Sequence, residues 1–114
     1  MSALARKNTV LFLEKVYKVI EKGWCRGYAA KKRNGEVVYV GHPGATNYCL
    51  SGACSVVLNK DFNGDSKKIW LACDILNKKV LQLGYWGIAN FNDNQKDKRP
   101  VLRLLMDCIA EARK

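Results

Sequence analysis

The sequence predicts an α+β fold, with about four helices and one β-hairpin in a single compact domain spanning residues 1–114. Three observations predict it. Apolar residues recur at spacings of three and four in several separate stretches, which is the mark of helices with one buried face. One Asn-Gly pair sits between two strand-like arms, which is a hairpin signal. A chain of 114 residues is long enough for one modest core.

The elements follow in order. From about Ala3 to Lys22, Leu13, Val16, Tyr17 and Ile20 form an apolar stripe, with Glu14, Lys15, Lys18, Glu21 and Lys22 on the wet side. Gly23 is a natural stop. "YAAKKR" and "EVVYV" are the arms of the hairpin around Asn34-Gly35, which suits a type I′ turn with both residues at positive φ. Val38 and Val40 then share one face, and Val37 and Tyr39 the other. A two-stranded ribbon alone is marginal in water, so it must pack on helices or pair with a second copy. This is the motive for expecting a homo-oligomer, a dimer in the simplest case.

"GHPGATNY" breaks the pattern with Gly and Pro. "TNYCLSGACSVVLN" reads as a helix whose small residues Ser51, Gly52, Ala53 and Ser55 allow another element to approach closely. Asp65 or Ser66 caps the next helix, "KKIWLACDILNKKVLQL", with Ile69, Ala72, Cys73, Leu76, Val80 and Leu83 as its buried stripe. Trp70, in mid-helix, is expected in the core. "GYWGIANFNDNQKDKR" is mostly loop with one helical turn. Pro100 opens a last helix that buries Val101, Leu104, Leu105, Cys108 and Ile109.

Composition narrows the function. The net charge of +10 favours anionic partners: nucleotides, phosphate groups or nucleic acid. No apolar run approaches the roughly 20 residues of a membrane helix, so no membrane partner is expected. Near the N-terminus only Val10 to Leu13 are consecutively apolar, and Glu14 follows, so no secretory leader is read and the expected location is the cytoplasm. The five cysteines make no C-x-x-C pair and His42 is the one histidine, which argues against disulfide and zinc frameworks. No metal and no cofactor is expected. "NGDSKK" is too short for a Walker motif, and "DFNGD" places Ala72 where a calcium loop needs its glutamate.

Three short motifs stand in a fixed order: "WCRG" after the first helix, "CLSGA" at the start of the next, and "IANFND" before the last. Together they resemble a family of small, uncharacterised bacterial and phage proteins, a domain of unknown function. The resemblance covers most of the chain and departs at Phe91, where the family has tryptophan, and in the unusually basic hairpin. It implies that Trp24, Cys25, Gly27, Cys49, Gly52, Asn92 and Asp93 are family positions. It implies no activity.

The remaining chemistry has competing readings. Cys25 or Cys49 with His42 and Asn92 would make a nucleophilic triad, but nothing in their spacing supports it. Buried small hydrophobes are the expected roles of Cys25, Cys49, Cys73 and Cys108. Asn92-Asp93 reads as a helix cap, a turn or a ligand grip. Cations interleave with aromatics around the hairpin and the last loop, which suits a phosphate beside a base. The expected ligand contacts are Arg26, Lys31, Arg33, Trp86, Asn92 and Lys98, with no catalytic residue. The expected function is non-enzymatic capture of a small anionic ligand of nucleotide type, with sequestration of a nucleotide signal as its setting if the chain is phage-encoded. The alternatives are a nucleic-acid-binding protein using the basic hairpin and a Cys/His enzyme on a nucleotide substrate.

Overall fold

A computed structural model describes residues 1–114. Five α-helices surround one core, with a small sheet at one side: α1 (Ala3–Lys22), β1 (Ala30–Lys31), β2 (Val37–Val38), β3 (Asn47–Tyr48), α2 (Leu50–Asp61), α3 (Trp70–Gln82), α4 (Ile88–Asp93) and α5 (Arg99–Arg113). The α+β expectation holds.

Helix α1 starts where the Ser2 hydroxyl accepts the Ala5 amide at 3.1 Å. It buries Thr9, Phe12, Leu13, Val16 and Ile20, so Leu13, Val16 and Ile20 of the expected stripe are inside, Tyr17 is only half-buried, and Thr9 and Phe12 join the face unannounced. Thr9 is tolerated there because its hydroxyl donates to the Ala5 carbonyl at 2.7 Å. Around this face lie Leu50, Ala53 and Val57 of α2, Ala72, Leu76 and Val80 of α3, and Val101, Leu104, Leu105 and Cys108 of α5. Each fully buried Leu or Val contributes on the order of 1.5–3 kcal/mol of transfer free energy. Phe62 closes the bottom, edge-on to Phe12 at 5.9 Å.

Four local expectations need correction. First, the hairpin turn is not type I′. Gly35 alone is left-handed, at φ 91°, and its N–H donates to the Lys32 carbonyl at 2.9 Å. Asn34 keeps negative φ, because its side chain accepts the Glu36 amide at 3.0 Å and holds the loop open by itself. Second, Asn47–Tyr48 is a strand, not the start of a helix. It pairs antiparallel with β1, giving the order β2-β1-β3. The hairpin thus gains its third strand within the chain, and the need that motivated a dimer is met internally. Third, Trp70 is 60% exposed. It lies one residue after Ile69, about 100° around the helix from the buried stripe. Fourth, Leu83 is exposed just past the end of α3, and Cys73 is only half-buried.

Helix α2 begins unusually. The Cys49 thiol caps it, accepting the Gly52 amide at 3.3 Å. Gly52 itself lies against the backbone of Ala29, and a Cβ there would collide with the Ala29 carbonyl oxygen. The small-residue reading of this segment therefore holds at Gly52.

Candidate functional site

Two regions meet where the sheet joins the helices. The first is a buried polar node. Asn92 at the end of α4 is 0% exposed, and both ends of its amide are occupied. Its oxygen accepts the Trp24 indole N–H at 2.7 Å and the Leu50 backbone N–H at 3.1 Å. Its nitrogen donates to the Cys25 carbonyl at 3.1 Å and to the Asp93 carboxylate at 3.3 Å. The same Asp93 oxygen accepts the Gly27 amide at 2.8 Å. The three motifs thus converge on one knot, in which the donors and acceptors that burial strips of water find partners. The strand pairing beside it extends the knot: Cys25 donates its N–H to the Tyr48 carbonyl at 3.1 Å, and Tyr48 donates to Gly23 at 3.0 Å.

The thiols belong to this interior. Burial, with the nearby Cys49 thiol adding to it, pushes the Cys25 thiol up to about 11, and the Sγ donates to the Tyr28 carbonyl at 3.4 Å. Burial raises Cys49 as well, and lifts Cys108 to about 12. These thiols stay protonated at neutral pH, the opposite of an activated nucleophile. His42 is engaged in its own turn, where Nδ1 accepts the Gly44 amide at 2.8 Å. No cluster of three or more His, Cys, Asp or Glu side chains is arranged to hold a metal ion.

The second region is an open groove of about 460 Å³ between the end of α1, the hairpin turn, β3 and α2. Lys22 and Arg33 face it, with Thr46, Asn47, Tyr48 and Val56. Neither cation makes an ion pair. The Thr46 hydroxyl oxygen is buried without a hydrogen-bond partner. The Tyr48 phenol already donates to the Ala45 carbonyl at 3.2 Å, which leaves two free cations and the Asn47 amide around one space. An anion with several oxygens can use all of them.

Of the six expected contacts, only Arg33 lies in this groove. Asn92 is removed from the set: it is sealed in the node, and its amide is fully used. Arg26 donates to the Gln95 carbonyl at 2.7 Å, and Lys98 donates to the Glu21 carbonyl at 2.6 Å. Lys98 clips the α4–α5 connection to the end of α1, and Arg26 clips it to the loop that follows α1. Lys31 sits over the Tyr28 ring at 5.4 Å. Its neighbour Lys32 pairs with Glu36 at 3.2 Å, so the hairpin cluster offers one uncommitted cation, Arg33. Trp86 is 88% exposed, on the loop before α4. Thr46 and Asn47 were missed because β3 gives no alternation signal over two residues. Lys22 stands out in the sequence as a cation at the junction of the first helix and the hairpin but is not among the six expected contacts.

No curated protein and no solved structure matches this chain. A family model does match, over residues 6–111, and by it the chain belongs to DUF6197, a family of unknown function.

Proposed function

We propose that the protein binds a small phosphate-bearing anion of nucleotide type in the groove at Lys22 and Arg33, and holds it without chemical turnover. The observation that carries this reading is that two uncommitted cations, Lys22 and Arg33, face one open space. Phosphate oxygens would take the guanidinium fork of Arg33 and the Lys22 ammonium. Tyr48, half-buried at the wall, offers an aromatic edge to a base or sugar. A field of +10 would raise the local anion concentration and speed capture. The protonated, buried thiols supply no nucleophile for turnover.

Titration calorimetry with ATP, AMP and inorganic phosphate tests this. The expected result is saturable nucleotide binding that weakens at least tenfold in Arg33→Glu and in Lys22→Glu, with unchanged circular dichroism. Binding no tighter than about 1 mM, or binding indifferent to both substitutions, would overturn it. Mass spectrometry of small molecules released by heating the purified protein would identify the natural occupant.

A further inference from the structure

We infer that the outer face of α1 is a track for single-stranded nucleic acid, leading from the Lys22–Arg33 groove to a second aromatic cleft at Trp70. This rests on the phosphate-binding reading of the groove and extends it to a polymer. Leu4, Lys7, Leu11, Lys15, Lys18 and Lys22 follow one another at intervals of three and four residues, on the side opposite the buried face of α1. Lys7, Lys18 and Lys22 are exposed and make no ion pair; Lys15 is held by Asp61 at 3.3 Å. The row runs the length of a 20-residue helix, about 30 Å.

At its far end lies a cleft of about 240 Å³, bounded by Leu4, Asn8, Lys67, Lys68, Trp70 and Leu71. Trp70 is 60% exposed, although it is among the largest apolar side chains in the chain. Lys67 and Lys68 likewise make no ion pair. Each end of α1 therefore carries two free cations beside an aromatic: Lys22 and Arg33 with Tyr48, then Lys67 and Lys68 with Trp70. A phosphate chain needs repeated cations, and unpaired bases need aromatic faces to stack on. A duplex hides its base faces, and a polyanion without bases has no use for Trp70. A single strand uses both features.

Fluorescence anisotropy with labelled single-stranded RNA and DNA long enough to span α1 tests the proposal, with ATP, a duplex and polyphosphate as comparisons, at low and physiological salt. The expected result is tighter binding of a single strand than of any comparison. The doubly substituted Lys7→Glu/Lys18→Glu protein should lose at least tenfold in affinity, with a log–log salt slope shallower by about 0.7 per lost contact. Trp70→Ala should weaken binding about tenfold and leave the salt slope unchanged. Lys67→Glu/Lys68→Glu provides a second probe of the same cleft, and all these positions are on the surface. A single strand bound no better than ATP, duplex or polyphosphate would overturn the track, as would indifference to both the α1 and the Trp70 substitutions. Retained ATP binding in that case would show that the groove reading survives and the extension alone fails.

Discussion

The polar node and the basic groove share a wall, yet they are built on opposite principles. The node is saturated around the fully buried Asn92, and it is made from residues of the three motifs: Trp24, Cys25 and Gly27 of the first, Leu50 of the second, and Asn92 and Asp93 of the third. The groove is open, and its two cations, Lys22 and Arg33, are unspent. The two touch through Tyr48, whose backbone bonds Gly23 and Cys25 beside the node while its side chain lines the groove. The difference teaches where the most distinctive residues of a sequence can lie. A buried amide with four partners leaves little freedom at any of them. A solvated cation in a groove can be moved by a residue or two and still meet a phosphate. In this chain the residues that stand out hold the shape, and the residues proposed to meet a ligand look like ordinary surface.

Substitutions can break or sharpen that contrast. The largest effect is expected from Asn92→Ala, which leaves the Trp24 indole, the Leu50 amide and the Cys25 carbonyl buried without partners. The expected loss is about 3–5 kcal/mol in urea denaturation. A loss under about 1 kcal/mol would mean that water enters the knot and that it is not dry. Gly52→Ala forces a methyl group against the Ala29 carbonyl and should cost about 1–3 kcal/mol, read as a lowered Tm. Trp24→Phe removes one donor from an acceptor that keeps Leu50, and about 1 kcal/mol is expected.

The thiols give a pH test of the same dryness. Cys25 at about 11 and Cys108 at about 12 lie above their ordinary 9.0, because burial favours the neutral form. Their contribution to stability is complete below about pH 9 and is lost as pH rises through the folded values. Thiolate absorbance titrated in native and in denatured protein should show the native curve displaced upward. Coincident curves would mean open thiols. The smallest stability effect belongs to the groove: Arg33→Ala should change unfolding by no more than about 0.5 kcal/mol while weakening nucleotide binding several-fold. A large loss of stability there would dissolve the contrast.

The helices were legible because burial imposes a period on them. Leu13, Val16 and Ile20, or Val101, Leu104, Leu105 and Cys108, announce their shared face by spacing alone. The same logic, applied strictly, excludes Trp70, which falls off the stripe of Ile69, Ala72, Leu76 and Val80. Aromatic size argued for the core, and position argued for the surface; position decided. β3 was illegible because two residues carry no alternation, and its pairing is dictated by β1. Asn92 was legible as special but not as buried. A polar side chain goes inside only when its partners are there, and those partners stand 42 and 68 residues away at Leu50 and Trp24. Arg33 was named from the sequence with Lys31 as a cation of the exposed hairpin cluster, but only the fold shows Lys32 held by Glu36 and Lys31 over Tyr28, with Arg33 left free. Lys22 and Thr46 needed the fold.

Those separations also set an order of assembly. Every groove residue lies between Val19 and Val56, but the amide that seats Trp24 and Leu50 comes from position 92. Strands of two residues do not persist alone, and closing such long loops delays their reward until the far segment arrives. A chain still emerging from the ribosome would therefore carry all the groove's cations with no fixed groove. The α4 segment, which does not line the groove, would act as the latch that fixes those charges in place once the chain has grown past it.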